Sequence, residues 1–326
     1  MITRRTVLKG AAAAASLTGL GSALAQPAWT AARPIRLLVP GQAGGMSDIL
    51  ARLVAAAMGT HLGQSVVVDN KPGASGTLAS SLLTNSLPDG LTLLTASSDT
   101  HTIYPHFYNN SRFQPQGHVP VANIAYVPFM LAVRKNLGVK NLAEFIALAK
   151  SRPLSYSTWG IGTTGHAAMM LVMRAAGISD MLHVPFTGSA PAIQALLAGQ
   201  VDAMTGAIPL IAANRENLIP IATLSRNRSS ALRDVPTLAE SGLVINDFKE
   251  FWVGVMAPPS TPSNIVQTIS SEIRQALDMP QVKSRIAEIG AIPGYANPED
   301  FSAVIKKEYE QWSRIARDAG VVRQAV

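Results

Sequence analysis

Three histidines, His101, His166 and His183, stand near serines and threonines, so the first chemistry to weigh is a hydroxyl nucleophile with an imidazole base. Ser98 and Ser189 are the serines such a hydrolase would use. The G-x-S-x-G turn that exposes a nucleophilic serine is missing, and the nearest approach, Gly73-Ala74-Ser75-Gly76-Thr77, fails at its last position. No two histidines stand at i, i+4, the acids are scattered, and the chain has 0 cysteines, so neither a metal nor a disulfide is expected. His166, before an apolar helical run, reads as a neutral hydrogen-bond donor to an anion; a capping or solvent-facing histidine is the plainer alternative.

A second chemistry is dinucleotide binding. Gly160-Ile161-Gly162-Thr163-Thr164-Gly165 fits G-x-G-x-x-G between a predicted strand and a predicted helix. The next strand ends at Pro185-Phe186-Thr187, with no acid to hold a ribose hydroxyl. The earlier loop has the opposite fault: its second strand ends in Asp69, but its glycines stand at 41, 44 and 45. Neither unit completes the fingerprint, and no cofactor is expected.

What both loops share is the capacity to hold a small anion. Val39-Pro40-Gly41-Gln42-Ala43-Gly44-Gly45-Met46-Ser47-Asp48 links an apolar run at 35–39 to an amphipathic run at 49–61, with Ser47 as the expected N-cap. First-turn N–H groups lack intrahelical acceptors and lie at the positive end of the helix dipole, so they bind an anion without a lysine or arginine. Similar glycine and hydroxyl loops recur at Ser98, Thr100 and His101, at Trp159, Gly160, Thr163, Thr164 and His166, at Thr187, Gly188 and Ser189, and at Thr205. Turn chemistry alone explains one such loop; their repetition at strand ends in two separated blocks points to a shared ligand. Asp48 and Asp202 are the acids nearest these loops and are expected to organise them, with cation binding or a solvent-edge cap as the alternatives.

The elements that must carry these loops alternate between strand and helix from residue 33, the signature of α/β architecture. Strands are expected at 35–39, 65–68, 91–96, 154–158, 181–185, 200–204, 219–224 and 252–257, and an apolar run at 121–133 is broken by Pro128. Helices are expected at 49–61, 75–84, 141–150 (capped by Asn141), 166–176 and 191–198, and three more at 263–277, 281–289 and 298–319 finish the chain. Residues 69–73, 97–101 and 205–207 read as turns or loops. Phe301, Ile305, Tyr309, Trp312, Ile315 and Ala316 recur at spacings of three and four and read as core contacts.

With 326 residues, 48% hydrophobic and 14% charged, the chain has enough apolar material for two packed domains, and disorder is excluded. Residues 1–25 read as a targeting segment: Arg4-Arg5 followed by Val7-Leu8-Lys9 resembles a twin-arginine signal, and Ala23-Leu24-Ala25 a cleavage site. A cytoplasmic N-terminal helix is the weaker alternative, because caps and a polar face are missing. Without Arg4, Arg5 and Lys9 the net charge falls from +7 to about +4, too dispersed for nucleic acid. No stretch after the signal approaches the roughly 18 apolar residues of a membrane span, so a soluble protein is expected.

These residues together resemble the substrate-binding proteins of tripartite tricarboxylate transporters, the Bug receptor family. The resemblance lies in Pro34-Ile35-Arg36-Leu37-Leu38-Val39-Pro40 with Gly44, Gly45 and Asp48, in residues 66–76, in Pro88-Asp89-Gly90, in residues 183–191, in Gly199-Gln200-Val201-Asp202 and in residues 234–242, essentially the whole chain after the signal. It implies a two-lobed periplasmic-binding-protein fold, type II-like, with the ligand cleft between lobes: residues 26–126 and 252–326 form one lobe and 127–251 the other. It further implies an exported, monomeric receptor that is not an enzyme. Backbone N–H groups, hydroxyls and water from loops 41–48, 97–101, 159–166 and 187–189 would hold a small organic acid for delivery to membrane transporter subunits. A sensory module feeding a signalling system is the alternative use. The chain departs from the family's pattern at Gly41, Gln42, Ala43 and Met46, where an aromatic residue and prolines are usual, and at Gly206 and Ala207, in place of an Asp-Asn pair, so the family's ligands do not transfer directly.

Overall fold

The computed structural model describes residues 29–73, 76–109, 115–245, 248, 250–318 and 321–325. The signal segment expected at 1–25 lies outside these residues, as does Ser75 at the expected start of the second helix.

The chain opens with β1 (Ile35–Val39), α1 (Met46–Leu62), β2 (Val66–Asn70), α2 (Thr77–Thr84) and β3 (Thr92–Ser97). β1 lies between β2 and β3 with both pairings parallel, which explains its nearly continuous apolar run, since a central parallel strand is covered on both faces. After β3 a five-residue π turn, Asp99–Ile103, runs into α3 (Tyr104–Phe107) and the short β4 (Tyr108–Asn109). The chain then forms β5 (Val119–Val127) and, past Pro128, β6 (Phe129–Arg134) in a different sheet. That second sheet is built by α4 (Leu142–Ser151), β7 (Ser155–Thr158), α5 (Thr164–Ala176), β8 (Leu182–Pro185), α6 (Ser189–Leu197), β9 (Ala203–Ala207), α7 (Ile208–Ala212) and β10 (Leu218–Thr223). The return is made by β11 (Phe251–Ala257), followed by α8 (Ser263–Asp278), α9 (Pro280–Glu288), β12 (Ile292–Ala296), α10 (Pro298–Asp318) and β13 (Gln324–Ala325), which pairs with β4.

The first sheet has the order β12-β5-β11-β3-β1-β2 and the second β10-β6-β9-β7-β8. Each contains three parallel strands, β2-β1-β3 or β8-β7-β9, extended by the antiparallel strand that the chain lays down on entering that lobe, β11 or β6. The two lobes therefore repeat one plan, and their strand-end loops all lie at the carboxyl ends of parallel strands, where open α/β sheets take ligands.

Several expectations need correction. α1 starts at Met46 rather than 49, and its N-cap is Gly45, with extended backbone and no side-chain cap, instead of Ser47. Asp48, inside the first turn, reaches back to accept from Gly44 N ahead of the cap. β2 extends through Asp69 and Asn70, read from sequence as a turn, because Arg36 Nε at 2.6 Å and Lys71 Nζ at 3.2 Å neutralise Asp69 on the strand. Thr205, Gly206 and Ala207 pair with β6 inside β9 instead of forming a loop. β12 was not expected: Pro293 and Gly294 hide a strand that survives at the sheet edge, where a missing N–H is tolerated.

The last helix packs as its spacing suggests, with Phe301, Trp312, Ile315 and Ala316 buried. Phe301 meets Trp252 edge-on at 5.0 Å, and a Cβ on Gly254 would collide with the Phe301 ring and the Ala122 carbonyl. The Trp252 indole N–H donates to the Glu308 carboxylate, which joins α10 to the sheet. A further cluster, Ile103, Phe107, Ala167, Leu171, Trp312 and Ile315, places α5 of the second lobe against α3 and α10 of the first. Among the described residues no helix is long and apolar enough to cross a membrane.

Candidate functional site

The first jaw is the turn between β1 and α1. Asp48, 2% exposed, accepts hydrogen bonds from Gly44 N (2.8 Å), Asn70 Nδ2 (2.9 Å) and Arg52 Nε (3.0 Å), and Asn70 Nδ2 also donates to the Gly41 carbonyl at 3.1 Å. Burial disfavours the Asp48 anion, but the bonds from Arg52, Gly44 and Asn70 outweigh it and hold its pKa below the usual carboxylate value. Asp48 thus braces the loop from beneath, while Gln42, Ala43 and Gly44 are exposed and Gly41, Gly45, Met46 and Ser47 half-buried. Gly45 N donates to the Gln42 carbonyl, whereas Met46 and Ser47 N–H, in the first turn, have no acceptor within the helix.

The loop after β3 is not open, as expected, but wound into the π turn. Thr100 and His101 face into the first lobe: His101 Nδ1 meets Thr100 Oγ1 at 2.8 Å, His101 Nε2 meets His118 Nδ1 at 3.0 Å, and His118 Nε2 meets Thr84 Oγ1 at 2.9 Å. Burial and the neighbouring His118 depress the His101 pKa, and burial brings His118 to about 4, so both rings are neutral links in an internal chain. Ser98 is buried too, with its hydroxyl 3.5 Å from Thr164 Oγ1.

The residue that the sequence reading passed over is Asp99. Its carboxylate crosses to the second lobe, where Trp159 Nε1 (2.8 Å), Thr164 N (2.6 Å) and Thr164 Oγ1 (2.5 Å) all donate to it. Desolvation raises its pKa against the pull of these bonds. Asp99, and not Asp48 or Asp202 alone, is therefore an acid of the loop cluster. The signal available in sequence was an acid immediately after a strand-end serine.

The second jaw is the turn between β7 and α5. Thr163 caps α5, accepting from His166 N and donating to the Gly160 carbonyl at 2.8 Å. His166 Nδ1 accepts from Gly162 N at 3.2 Å, which leaves its proton on Nε2. The ring stacks on His183 (4.3 Å), and His183 stacks on Tyr156 (4.9 Å). Burial and His183 lower the His166 pKa to about 3, and burial lowers His183 to about 4. Trp159 lies on Gly165, where an added Cβ would come within 2.5 Å of the ring, and 5.5 Å from Phe129. Gly162 fits against Phe107 across the lobes.

The structure thus brings Trp159 and Thr164 onto Asp99, with Ser98 beside Thr164 and with Gly160 and Thr163 bonded to each other in the same turn. Thr205 is buried beneath them, its hydroxyl donating to the Gly165 carbonyl at 2.5 Å. Gly188 caps α6 beside exposed Thr187 and Ser189, at the end of β8 next to Thr158. Asp202 is set apart: it accepts from Arg134 Nε (2.9 Å) and Ser155 N (2.9 Å) at the start of β7, the opposite end from the ligand loops. Hydrogen bonds from Ser155 and Arg134 overcome desolvation and lower its pKa. It fastens β6 to β7 and braces no cleft loop. Among the described residues no serine hydroxyl is hydrogen-bonded to a histidine, so the Ser98–His101 and Ser189–histidine pairs of a hydrolase are not assembled. A hollow of about 1200 Å³ opens elsewhere, bordered by Tyr126, Leu243, Phe248 and Trp252, and includes none of these loops.

Two sheets of one plan, joined by two crossings and touching through Asp99 on the turn that carries Trp159 and Thr164, define a two-lobed solute-binding protein. Residues 50–321 match the tripartite tricarboxylate transporter family receptor, and the chain belongs to that family. It is 32% identical to the protein BugT of Bordetella pertussis over 302 residues, covering 89% of this chain and 90% of BugT. Among solved structures it resembles R. palustris Rpa4515 with adipate (TM-score 0.83, 32% identity, 90% of this chain and 99% of that one). It also resembles MatC from Rhodopseudomonas palustris with bound malate (TM-score 0.79, 30% identity, 87% and 99%).

Proposed function

We propose that this chain is a periplasmic receptor that closes its two lobes over a small organic acid and hands it to a membrane transporter of the tripartite tricarboxylate type. The observation that carries the reading is the α1 turn, a preset loop braced by Asp48 whose Met46 and Ser47 N–H groups lack helical acceptors and which supplies anion-binding capacity without a cation. A carboxylate matches those donors, and the relatives solved with adipate and malate are consistent with that class. Contacts from both lobes would be made only in the closed form, so ligand would favour closure. The segment 1–25, read as a twin-arginine signal cleaved after Ala25, would export the folded protein as a monomer.

Calorimetry of the purified protein against mono- and dicarboxylates and their uncharged amides tests the reading. Binding of acids but not amides is expected; saturable binding of amides alone overturns it. A mass spectrum of what co-purifies under native conditions would supply the identity of the acid.

A further inference from the structure

The two jaws differ in one respect. α1 has no side-chain cap, since Asp48 reaches only Gly44 N ahead of the helix, whereas the start of α5 already holds a carboxylate of the protein itself, Asp99. Three donors from the second lobe converge on it, and no lysine or arginine is ion-paired with it among the described residues. Thr163 in that turn is spent on the Gly160 carbonyl and the His166 N–H. Asp99 as a residue keeps partial exposure, while its carboxylate is desolvated among those donors.

From this arrangement we propose that Asp99 is a specificity-determining residue: a built-in carboxylate that occupies the second lobe's anion-binding turn and restricts the receptor to acids with one carboxylate and an uncharged remainder. The proposal rests on the carboxylate reading above. The loop carrying Asp99 follows β3, the neighbour of β1, so a ligand carboxylate held by the α1 turn would sit on the same sheet end as the contact between Asp99 and the α5 turn. A second ligand carboxylate there would find Thr164 N, Thr164 Oγ1 and Trp159 Nε1 already committed. It would also place a second negative charge beside Asp99 in a partly desolvated site, where two carboxylates do not both ionise without a large cost. A neutral or donor-bearing end meets neither obstacle, and Asp99 can accept from it. By this logic the ligand of this chain differs in class from the adipate and malate found in its relatives.

The test compares matched acids, hexanoate with adipate and butanoate with succinate, plus hexanamide, by calorimetry on the wild-type protein and on Asp99→Ser and Asp99→Asn. The serine frees the α5 turn, and the asparagine keeps the shape but removes the charge, so the second variant covers a folding failure of the first. Wild type should bind the monocarboxylate of a pair roughly tenfold or more tighter than its dicarboxylate, and Asp99→Ser should erase or reverse that ratio. A wild-type preference for the dicarboxylate, or a ratio that neither substitution moves, overturns the proposal and leaves the carboxylate reading intact. Binding of hexanamide with no acid bound by any of the three proteins removes the carboxylate reading and the proposal together. Hydrogen exchange of the Thr164 amide adds a readout that needs no ligand: it should be slow in ligand-free wild type and accelerated in Asp99→Ser, and fast exchange in the wild type overturns the proposal whatever binds.

Discussion

The indole N–H of Trp159, at the end of a strand in one lobe, donates at 2.8 Å to the carboxylate of Asp99, at the end of a strand in the other. A bond to an ionised acceptor in such a place contributes more than a surface contact, and its loss leaves a desolvated oxygen short of a donor. Trp159→Phe keeps an aromatic ring over Gly165 and removes only the N–H, so it should cost about 2 kcal/mol in urea unfolding. Combined with Asp99→Asn, the two losses should fall short of their sum by about 1 kcal/mol. Additive losses would mean that the two residues do not act through one bond.

Gly165 and Gly41 belong to equivalent turns yet should respond in opposite ways to a methyl group. At Gly165 the added carbon meets the Trp159 ring at 2.5 Å and the Thr205 carbonyl at 3.1 Å, while at Gly41 nothing lies within 4 Å. Gly165→Ala should destabilise by about 1–3 kcal/mol through overpacking and shift the tryptophan emission. Gly41→Ala should change stability by less than about 0.5 kcal/mol. Equal losses at the two positions would show that Trp159 is not seated as described.

The contrast between these turns also marks what the amino-acid order made legible. β1 and β6 are buried central strands whose apolar runs are visible in any window, and Asn141 announces its helix because the cap, accepting from Glu144 N, is a local interaction. Asp99 was missed because its partners stand 60 and 65 positions away, so its role exists only once two lobes are folded against each other. His101 stood out as a loop histidine, but the π turn rotates it toward His118, a direction that no residue spacing in 97–101 encodes. β12 was hidden by Pro293 and Gly294, since a sheet edge tolerates residues that an interior strand excludes.

Acid should weaken the fold through its buried histidines. Burial holds His106, His118 and His183 near a pKa of about 4 and His166 near about 3, and His101 is depressed as well, against an ordinary value of 6.5. With folded pKa values below unfolded ones, the unfolded chain takes up protons first, so the stability linked to neutral histidines is complete above about pH 6.5 and is lost as pH falls toward about 4. Each histidine contributes a slope of at most about 1.4 kcal/mol per pH unit in that window. Urea midpoints should be level from about pH 8 to 7 and decline below about 6.5. His183→Gln should flatten that decline; a midpoint constant down to about pH 4.5 would argue that these imidazoles are not buried neutral.

Asp48 should matter for binding although it is buried beneath the α1 turn. Its carboxylate takes the Gly44 N–H, the Asn70 amide and the Arg52 guanidinium together, and Asn70 in turn holds the Gly41 carbonyl. Asp48→Asn keeps the volume but leaves one oxygen: Gly44 N and Arg52 Nε share Oδ2, so an amide that still serves them turns its NH2 toward Asn70 Nδ2 and Arg52 Nη2, which bond Oδ1 in the wild type. The cost to stability should be about 1–3 kcal/mol, and carboxylate affinity should fall roughly tenfold because the α1 turn is no longer preset. Arg52→Met is the informative control: Arg52 is half exposed, with 53% of its side chain accessible, so its pair with Asp48 is screened by water and its removal should cost less than about 1 kcal/mol. The order Asp48→Asn weaker than Arg52→Met in both urea unfolding and calorimetry is the expected result. If Asp48→Asn lowers stability but binds acids as tightly as the wild type, the brace under the α1 turn supports the fold and not the ligand.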